Sequence, residues 1–291
     1  MRYCTFQLGR RTAAGFVGGE FVYDLGQAFF RTFKRPFAFR DLLDFLEVDG
    51  PDRIGEIDFG GLKSDRTVCA PMHSVLLRAP LPRPPKIVCV GLNYRDHARE
   101  QDVEPPENPL LFAKAPNVVI GPEEAIEIPA GISECVDPEV ELGVVIGRPG
   151  DRIAREDAWS HVFGFTVFND VTARDVQKSD RQFFRGKSFR TFAPMGPWIV
   201  TPDELNVRSL ALRLAVNGEQ RQKGNTSDMI FDVPRLIEYA SACFPLEAGD
   251  VIATGTPAGV GAHRDPPVYL KAGDVVEASI EGIGTLTNGV R

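Results

Sequence analysis

The chain has 291 residues, of which 43% are hydrophobic and 25% are charged, so it is long enough to bury a substantial core. Its formal net charge of −7 and its pI near 5.3 argue against sequence-independent binding to nucleic acid or anionic membranes, and they favour small molecules as partners. No apolar run approaches the ~20 residues that cross a bilayer, and the first residues lack the apolar core of a secretory signal, so we expect a cytoplasmic protein.

The first 80 residues contain short elements that are typical of a small α+β domain. Residues 3–8 and 15–22 predict strands, and the apolar spacing within residues 39–46 predicts a short helix. Residues 80–85 are rich in proline, whose fixed φ angle and missing N–H donor are typical of a stiff, extended connector. We therefore predict a small N-terminal α+β domain over residues 1–80.

The remainder of the chain, residues 84–291, is rich in strand-like segments. Apolar runs of strand length occur at residues 87–90, 140–146, 163–168, 198–200, 210–216, 251–253 and 275–280. One clear helix is predicted over residues 234–244, because Pro234 follows Asp232 and Val233 at the entry and apolar residues then recur at helical spacing. We therefore predict an α+β, mostly β protein with a larger, strand-rich second domain.

Two carboxylates alternate with apolar residues in the segment after Asp137. Because successive side chains of a strand point to opposite faces, Glu139 and Glu141 should share one face at a spacing of roughly 6.6 Å. A third acid, Asp170, follows the predicted strand at residues 163–168. Three acids without a nearby Cys or His favour a hard cation, Mg²⁺ or Mn²⁺, over zinc. The alternatives are a half-exposed strand that happens to carry glutamates and a helix-capping role for Asp170.

A histidine and a glutamate lie three residues apart just after the predicted strand at residues 87–90. Asn93 and Asp96 resemble a helix-opening capping pair, which would place His97 and Glu100 at neighbouring positions on one helix. The carboxylate would then hold the imidazole in one tautomer, which suits a general base acting on water. The alternative is an ordinary surface pair.

Other segments have weaker signals. Residues 254–261 form a glycine-rich turn that could wrap a carboxylate with backbone N–H groups, but they lack a P-loop lysine and a G-x-G-x-x-G order, so no nucleotide cofactor is expected. Lys187 lies in a Gly-Lys-Ser-Phe segment, although a lone lysine is more often solvated surface than catalytic. The five cysteines are scattered and lack metal-ligand spacing, so we expect reduced and mostly buried thiols.

Six ordered motifs resemble the fumarylacetoacetate hydrolase superfamily of the bacterial single-polypeptide type. The motifs are residues 90–97, 137–142, 169–177, 186–189, 225–229 and 254–257. The resemblance spans about residues 84–291 and implies a mixed β-sandwich roll and a homodimer.

The resemblance also implies roles for single residues. The ligands of one Mg²⁺ or Mn²⁺ ion per chain would be Glu139, Glu141 and Asp170. A dyad of His97 and Glu100 would lie on a lid, which we predict to be mobile over residues 94–107. The residues that would line the substrate site are Arg174, Gln177, Lys187 and Thr256.

One position departs from the family pattern. Many bacterial relatives have Asp where this chain has Arg190, three residues after Lys187. The guanidinium of Arg190 would bind a second carboxylate bidentately, which predicts a preference for dicarboxylic keto acids. The alternative is that Arg190 pairs with an acid such as Asp180 or faces solvent.

Such a site suits α-keto acids, because a C1 carboxylate and a C2 carbonyl can chelate a divalent ion that polarises the carbonyl. Our first hypothesis is hydrolytic cleavage of a carbon–carbon bond in a 2,4-diketo acid or acylpyruvate, with His97 activating water and Lys187 neutralising the developing enolate. The alternative enzymes are an oxaloacetate-type decarboxylase and an enol–keto isomerase of hydroxymuconate-pathway acids. A non-catalytic keto-acid-binding homologue is the third hypothesis, which predicts binding without turnover.

Overall fold

A computed structural model describes residues 1–48 and 50–291. Its strands are β1 (Arg2–Leu8), β2 (Arg11–Gly18), β3 (Phe21–Asp24), β4 (Cys69–Pro71), β5 (Leu76–Arg78), β6 (Ile87–Gly91), β7 (Leu110–Lys114), β8 (Val119–Ile120), β9 (Val136–Asp137), β10 (Val140–Ile146), β11 (Val162–Asn169), β12 (Thr172–Ala173), β13 (Ala193–Val200), β14 (Ala211–Val216), β15 (Glu219–Asn225), β16 (Val251–Ala253), β17 (Val275–Ile280) and β18 (Gly284–Gly289). Its helices are α1 (Leu25–Phe33), α2 (Leu42–Leu46), α3 (Gly50–Arg53), α4 (Phe59–Leu62), α5 (Arg95–Glu100), α6 (Arg174–Asp180), α7 (Phe183–Lys187) and α8 (Val233–Cys243).

Twelve of these strands join in one mixed sheet. Its order is β4-β3-β2-β1-β13-β11-β10-β16-β6-β7, while β5 pairs with β1 and β8 pairs with β13. The β6–β16 and β8–β13 pairs are parallel. In contrast, β10 and β11 each run antiparallel to both of their neighbours in the sheet. A second, four-stranded sheet has the order β15-β14-β17-β18, and β9 pairs with β12. The strand-rich α+β architecture expected from the sequence is confirmed.

The centre of the main sheet is buried on both faces. On one face it packs against the four-stranded sheet, and Val144 of β10 belongs to the same apolar cluster as Leu214 of β14. On the other face Val145 clusters with Phe29 of α1 and Phe45 of α2. This two-sided burial explains why β10 is an unbroken run of buried residues rather than an alternating one.

The N-terminal strands continue the main sheet. Tyr3 of β1 lies opposite Ile199 of β13 in an antiparallel pair. The ring of Tyr3 also packs against Phe163 of β11, with 5.0 Å between ring centroids. The division of the chain near residues 80–84 stays a prediction, and the segments on both sides of it contribute strands to one sheet.

Several elements differ from the sequence predictions, among them strands β4, β7 and β18, which were not predicted. Residues 15–22 are not one strand, because Gly19 adopts a φ of 62° and turns the chain between β2 and β3. The strand β15 escaped prediction because it is polar along its length, as an exposed edge strand can be. The predicted helix at residues 234–244 is confirmed as α8, where Asp232 accepts a hydrogen bond from the Arg235 N–H at 3.0 Å.

None of the helices in the described part of the chain combines the length and apolar character that a membrane span needs. All five cysteines are free, and Cys4, Cys69 and Cys89 are buried, in agreement with the expectation of reduced, mostly buried thiols. Burial raises the pKa of Cys4 to about 12, which keeps this thiol protonated at neutral pH.

Candidate active site

The pairing of β10 with β11 brings the three predicted carboxylates together. Val140 lies opposite Asn169, so the preceding residue Glu139 lies beside Asp170, whose N–H donates to the Glu139 carbonyl at 2.8 Å. Glu141 follows two residues after Glu139 and points to the same face. Oxygen atoms of the three carboxylates lie within 4.8 Å of one another, which confirms the predicted convergence. The alternative of a capping role for Asp170 is wrong, because α6 begins after Ala173.

This donor set fits a hard divalent cation. Glu139, Glu141 and Asp170 are all buried, and they offer only carboxylate oxygens. Burial, together with the neighbouring charges of Asp170 and Glu139, raises the pKa of Glu141 well above its usual range. The hydrogen bond to Glu141 comes from an uncharged group, the Gly255 N–H at 2.9 Å. A divalent ion would supply the positive charge that relieves this crowding of negative charge.

Two buried lysines flank the carboxylates. Lys187, at the end of α7, donates to Glu139 at 2.6 Å and to Asp170 at 2.5 Å, so the solvated-surface alternative for this lysine is wrong. Burial lowers the pKa of Lys187, but Asp170 and Glu139 outweigh burial and hold it above its usual range. Lys114, at the end of β7, donates to Asp170 at 2.5 Å, and sequence reasoning missed it. The one feature of the sequence that pointed to Lys114 is its position at the end of an apolar segment.

Arg174 links the carboxylates to the start of α6. Its Nη2 donates to Glu139 at 2.5 Å, and its Nε donates to the buried Asp137 at 2.9 Å. Its Nη1 donates to Gln177 at 3.3 Å. Asp137, for which no role was predicted, fixes the direction of the guanidinium.

The predicted pair on α5 is present. His97 Nδ1 lies 2.9 Å from a Glu100 carboxylate oxygen, and His97 is only 6% exposed, so an ordinary surface pair is excluded. Burial raises the pKa of Glu100, but hydrogen bonds from His97 and from the Gly259 N–H outweigh burial and lower it. The predicted capping role of Asn93 is wrong, because its amide instead donates to the Thr254 carbonyl at 2.7 Å.

The glycine-rich turn at residues 254–261 wraps carboxylates of the protein itself. Backbone N–H groups of this turn donate to Glu141, Glu100 and Asp137 from Gly255, Gly259 and Gly261, at 2.9, 2.8 and 2.8 Å. Gly259 adopts a φ of 106°, and a Cβ atom there would lie 2.2 Å from the Arg221 carbonyl oxygen. The turn therefore sets the position of Glu141 relative to the histidine pair.

A cavity of about 190 Å³ lies in front of these groups. The predicted residues that line it are His97, Glu139, Glu141, Arg174, Gln177, Lys187 and Thr256. The lining residues that sequence reasoning missed include Gln101, Phe112, Phe183 and His263. The cavity thus joins a basic imidazole, two cations and the carboxylate cluster in one small space.

The segment predicted as a lid closes one side of this cavity. Arg95 Nη1 donates to the Met229 carbonyl at 3.0 Å, and Glu100 is held by the Gly259 N–H. The mobility of residues 94–107 stays a prediction.

Arg190 is not brought to the cavity. Its side chain is 78% exposed, and its Nε lies 3.1 Å from a carboxylate oxygen of Glu127. The expected contact of Arg190 with substrate is therefore corrected to a surface ion pair. The partner is Glu127 rather than Asp180, which pairs with Arg185 at 2.5 Å.

Arg190→Ala is expected to leave kcat/KM unchanged for both monocarboxylic and dicarboxylic keto acids. Because the ion pair is exposed and screened by solvent, the free energy of unfolding should change little. Steady-state kinetics and urea unfolding of the wild type and the variant measure both quantities. A loss of activity confined to dicarboxylates would contradict the surface assignment.

The chain is similar to known proteins along most of its length. The family profile described as Fumarylacetoacetate (FAA) hydrolase C-terminal matches residues 86–291. The oxaloacetate tautomerase YisK of Bacillus subtilis (strain 168) is 48% identical over 223 residues, which cover 75% of this chain and 74% of that protein. The solved structure of a fumarylacetoacetate hydrolase from psychrophilic Exiguobacterium antarcticum is 40% identical, with a TM-score of 0.87 over 100% of this chain and 99% of that one.

A second solved structure is that of maleylpyruvate hydrolase from Sphingobium sp. SYK-6 in complex with manganese (II) ion and pyruvate. It is 32% identical, with a TM-score of 0.78 over 100% of this chain and 98% of that one. The family profile spans most of the chain and includes every cavity residue named above. The chain therefore belongs to the fumarylacetoacetate hydrolase superfamily.

Proposed function

We propose that this chain is a divalent-metal-dependent enzyme that catalyses keto–enol tautomerisation of a small dicarboxylic 2-keto acid, with oxaloacetate as the first candidate. Identity of 48% to an oxaloacetate tautomerase supports this activity. The small cavity, in which Lys187 and Arg174 lie beside carboxylates able to hold a divalent ion, suits a short, doubly charged substrate. The sequence alone favoured hydrolysis. With this similarity and this cavity, we rank proton transfer at carbon above hydrolysis.

The orientation of His97 is the observation that carries this proposal. Its Nδ1 is hydrogen-bonded to Glu100, so Nε2 is the nitrogen whose lone pair can accept a proton. Lys187 and Arg174 line the same cavity. A base and two cations are what the formation of an enolate beside a carbonyl requires.

In the keto-to-enol direction, His97 Nε2 would take a proton from C3 of the keto acid. The electron pair of that C–H bond then forms the C2–C3 double bond, and negative charge moves to the C2 oxygen. Lys187 would donate a hydrogen bond to this oxygen, while Glu100 would stabilise the imidazolium. Transfer of the proton held on His97 Nε2 to the C2 oxygen would complete the enol and restore the neutral imidazole, and the reverse sequence restores the keto form.

The remaining residues would hold the ion and the substrate. Glu139, Glu141 and Asp170 would bind Mg²⁺ or Mn²⁺, which supplies Lewis-acid polarisation of the keto oxygen when bound. Arg174 and Gln177 would orient a substrate carboxylate through hydrogen bonds.

Hydrolytic cleavage of an acylpyruvate is the second candidate. Similarity to a maleylpyruvate hydrolase supports it, because the same imidazole can take a proton from water instead of from carbon. Decarboxylation of oxaloacetate would pass through a related enolate, and the fold alone does not fix the reaction.

The test is a comparison of three reactions on the same metal-loaded protein. Decay of the enol absorbance of oxaloacetate should be faster than with the metal ion alone, without matching production of pyruvate. Pyruvate release from oxaloacetate would indicate decarboxylation, and pyruvate release from acylpyruvates would indicate hydrolysis. Binding of keto acids without any turnover would support the non-catalytic hypothesis and overturn the proposal.

A further inference from the structure

The second ring nitrogen of His97, Nε2, is hydrogen-bonded to a neighbouring side chain. Gln101 Nε2 lies 2.7 Å from His97 Nε2, while His97 Nδ1 lies 2.9 Å from Glu100. Because the carboxylate accepts the Nδ1–H, the lone pair of the imidazole is on Nε2 and accepts a hydrogen bond from the Gln101 amide. The atom proposed to take the substrate proton is therefore occupied within the protein.

Helix geometry explains why both partners reach one imidazole. Glu100 and Gln101 are three and four residues after His97, and side chains at these spacings lie on one helix face. The helix α5 ends at Glu100, and Asp102 adopts a left-handed φ of 53°, so the chain turns away directly after Gln101. Gln101 is half-buried and lines the cavity beside His97, so its amide lies at the substrate's approach to Nε2.

The imidazole does not need Gln101 for its orientation. Glu100 holds Nδ1 and is itself anchored by the Gly259 N–H at 2.8 Å. His97 is also buried by the surrounding residues. The hydrogen bond from Gln101 therefore occupies Nε2, where the substrate must approach, without being needed to orient the imidazole.

We propose that Gln101 competes with the substrate for His97 Nε2 and must swing away before proton transfer. This inference rests on the proposed role of His97 as the base. It predicts that removal of the Gln101 amide makes substrate binding easier, because the substrate no longer has to displace a hydrogen bond.

Gln101→Met keeps the length of the side chain but cannot donate to Nε2. KM for oxaloacetate is expected to fall about fivefold, as loss of one net hydrogen bond from the competing state predicts, and kcat should change less than KM. Gln101→Asn, whose amide is one methylene shorter, should act in the same direction. The matched control is Gln220→Met, because Gln220 is exposed on β15 and does not line the cavity. An unchanged or raised KM in both Gln101 variants would overturn the inference.

A second measurement needs no turnover and separates this inference from the proposed function. In long-range ¹H–¹⁵N spectra, the His97 Nε2 resonance of Gln101→Met should move downfield, while Nδ1 stays protonated. Saturating pyruvate with Mg²⁺ should move the wild-type resonance in the same direction. If oxaloacetate is not turned over but both shifts occur, the proposed function fails and the competition at Nε2 stands. If pyruvate binds and the wild-type resonance does not move, the inference is overturned.

Discussion

His97→Ala is expected to lower kcat by roughly 10²- to 10⁴-fold, the contribution that a positioned general base makes. Glu100 accepts hydrogen bonds from the Gly259 N–H and from His97 Nδ1, and these two bonds fix the imidazole. Glu100→Gln should cause a smaller loss, because an acceptor oxygen remains while the charge that stabilises the imidazolium is removed. KM should change little in Glu100→Gln, because the charge of Glu100 acts mainly in the transition state.

The measurement is enol decay of oxaloacetate for the metal-loaded wild type and both variants. His73→Ala is the matched control, because His73 is exposed and does not line the cavity. Near-normal turnover in both His97→Ala and Glu100→Gln would show that the base lies elsewhere. A loss of tautomerisation with retained decarboxylation would assign only the proton-transfer step to His97.

Glu141→Gln is expected to weaken Mn²⁺ binding by at least about 100-fold, since even residues behind the ligands cost 10- to 100-fold when changed. The metal-free variant should be at least as stable as the metal-free wild type. Among the described residues, no lysine or arginine forms an ion pair with Glu141, in contrast to Glu139 and Asp170. Glutamine keeps an oxygen for the Gly255 N–H and removes the buried charge.

Calorimetric titration with Mn²⁺ measures the affinity, and thermal unfolding in chelator measures the stability of the metal-free proteins. Glu277→Gln makes the same chemical change at an exposed position of β17 and should alter neither quantity. Unchanged Mn²⁺ affinity in Glu141→Gln would remove this residue from the metal site. A lower melting temperature of the metal-free variant would contradict the reading of Glu141 as an uncompensated buried charge.

Local patterns predicted the parts of the site that lie within one element. Glu139 and Glu141 share a face because strand side chains alternate, and His97 and Glu100 meet because residues three apart are neighbours on a helix. The same rule applies to Gln101, four residues after His97, and the sequence contained that signal too. Spacing and residue chemistry were sufficient for these contacts because they depend on backbone geometry over only a few residues.

Local spacing failed where the chain turns. Arg190 is three residues after Lys187, but α7 ends at Lys187 and Thr191 adopts a left-handed φ of 71°. The two side chains therefore separate, one to the buried carboxylates and the other to Glu127 at the surface. Irregular backbone directions of this kind follow from tertiary packing rather than from residue order.

By itself the sequence determined the strand-rich α+β class, the residue types of the metal site and the histidine pair. Only the tertiary structure decided which distant groups meet them. The register of β10 and β11 places Asp170 beside Glu139, and Lys114 at the end of β7 donates to Asp170. The glycine-rich turn donates hydrogen bonds to both Glu141 and Glu100. These contacts join residues far apart in the chain, so they depend on strand order and packing, which no local pattern of residues specifies.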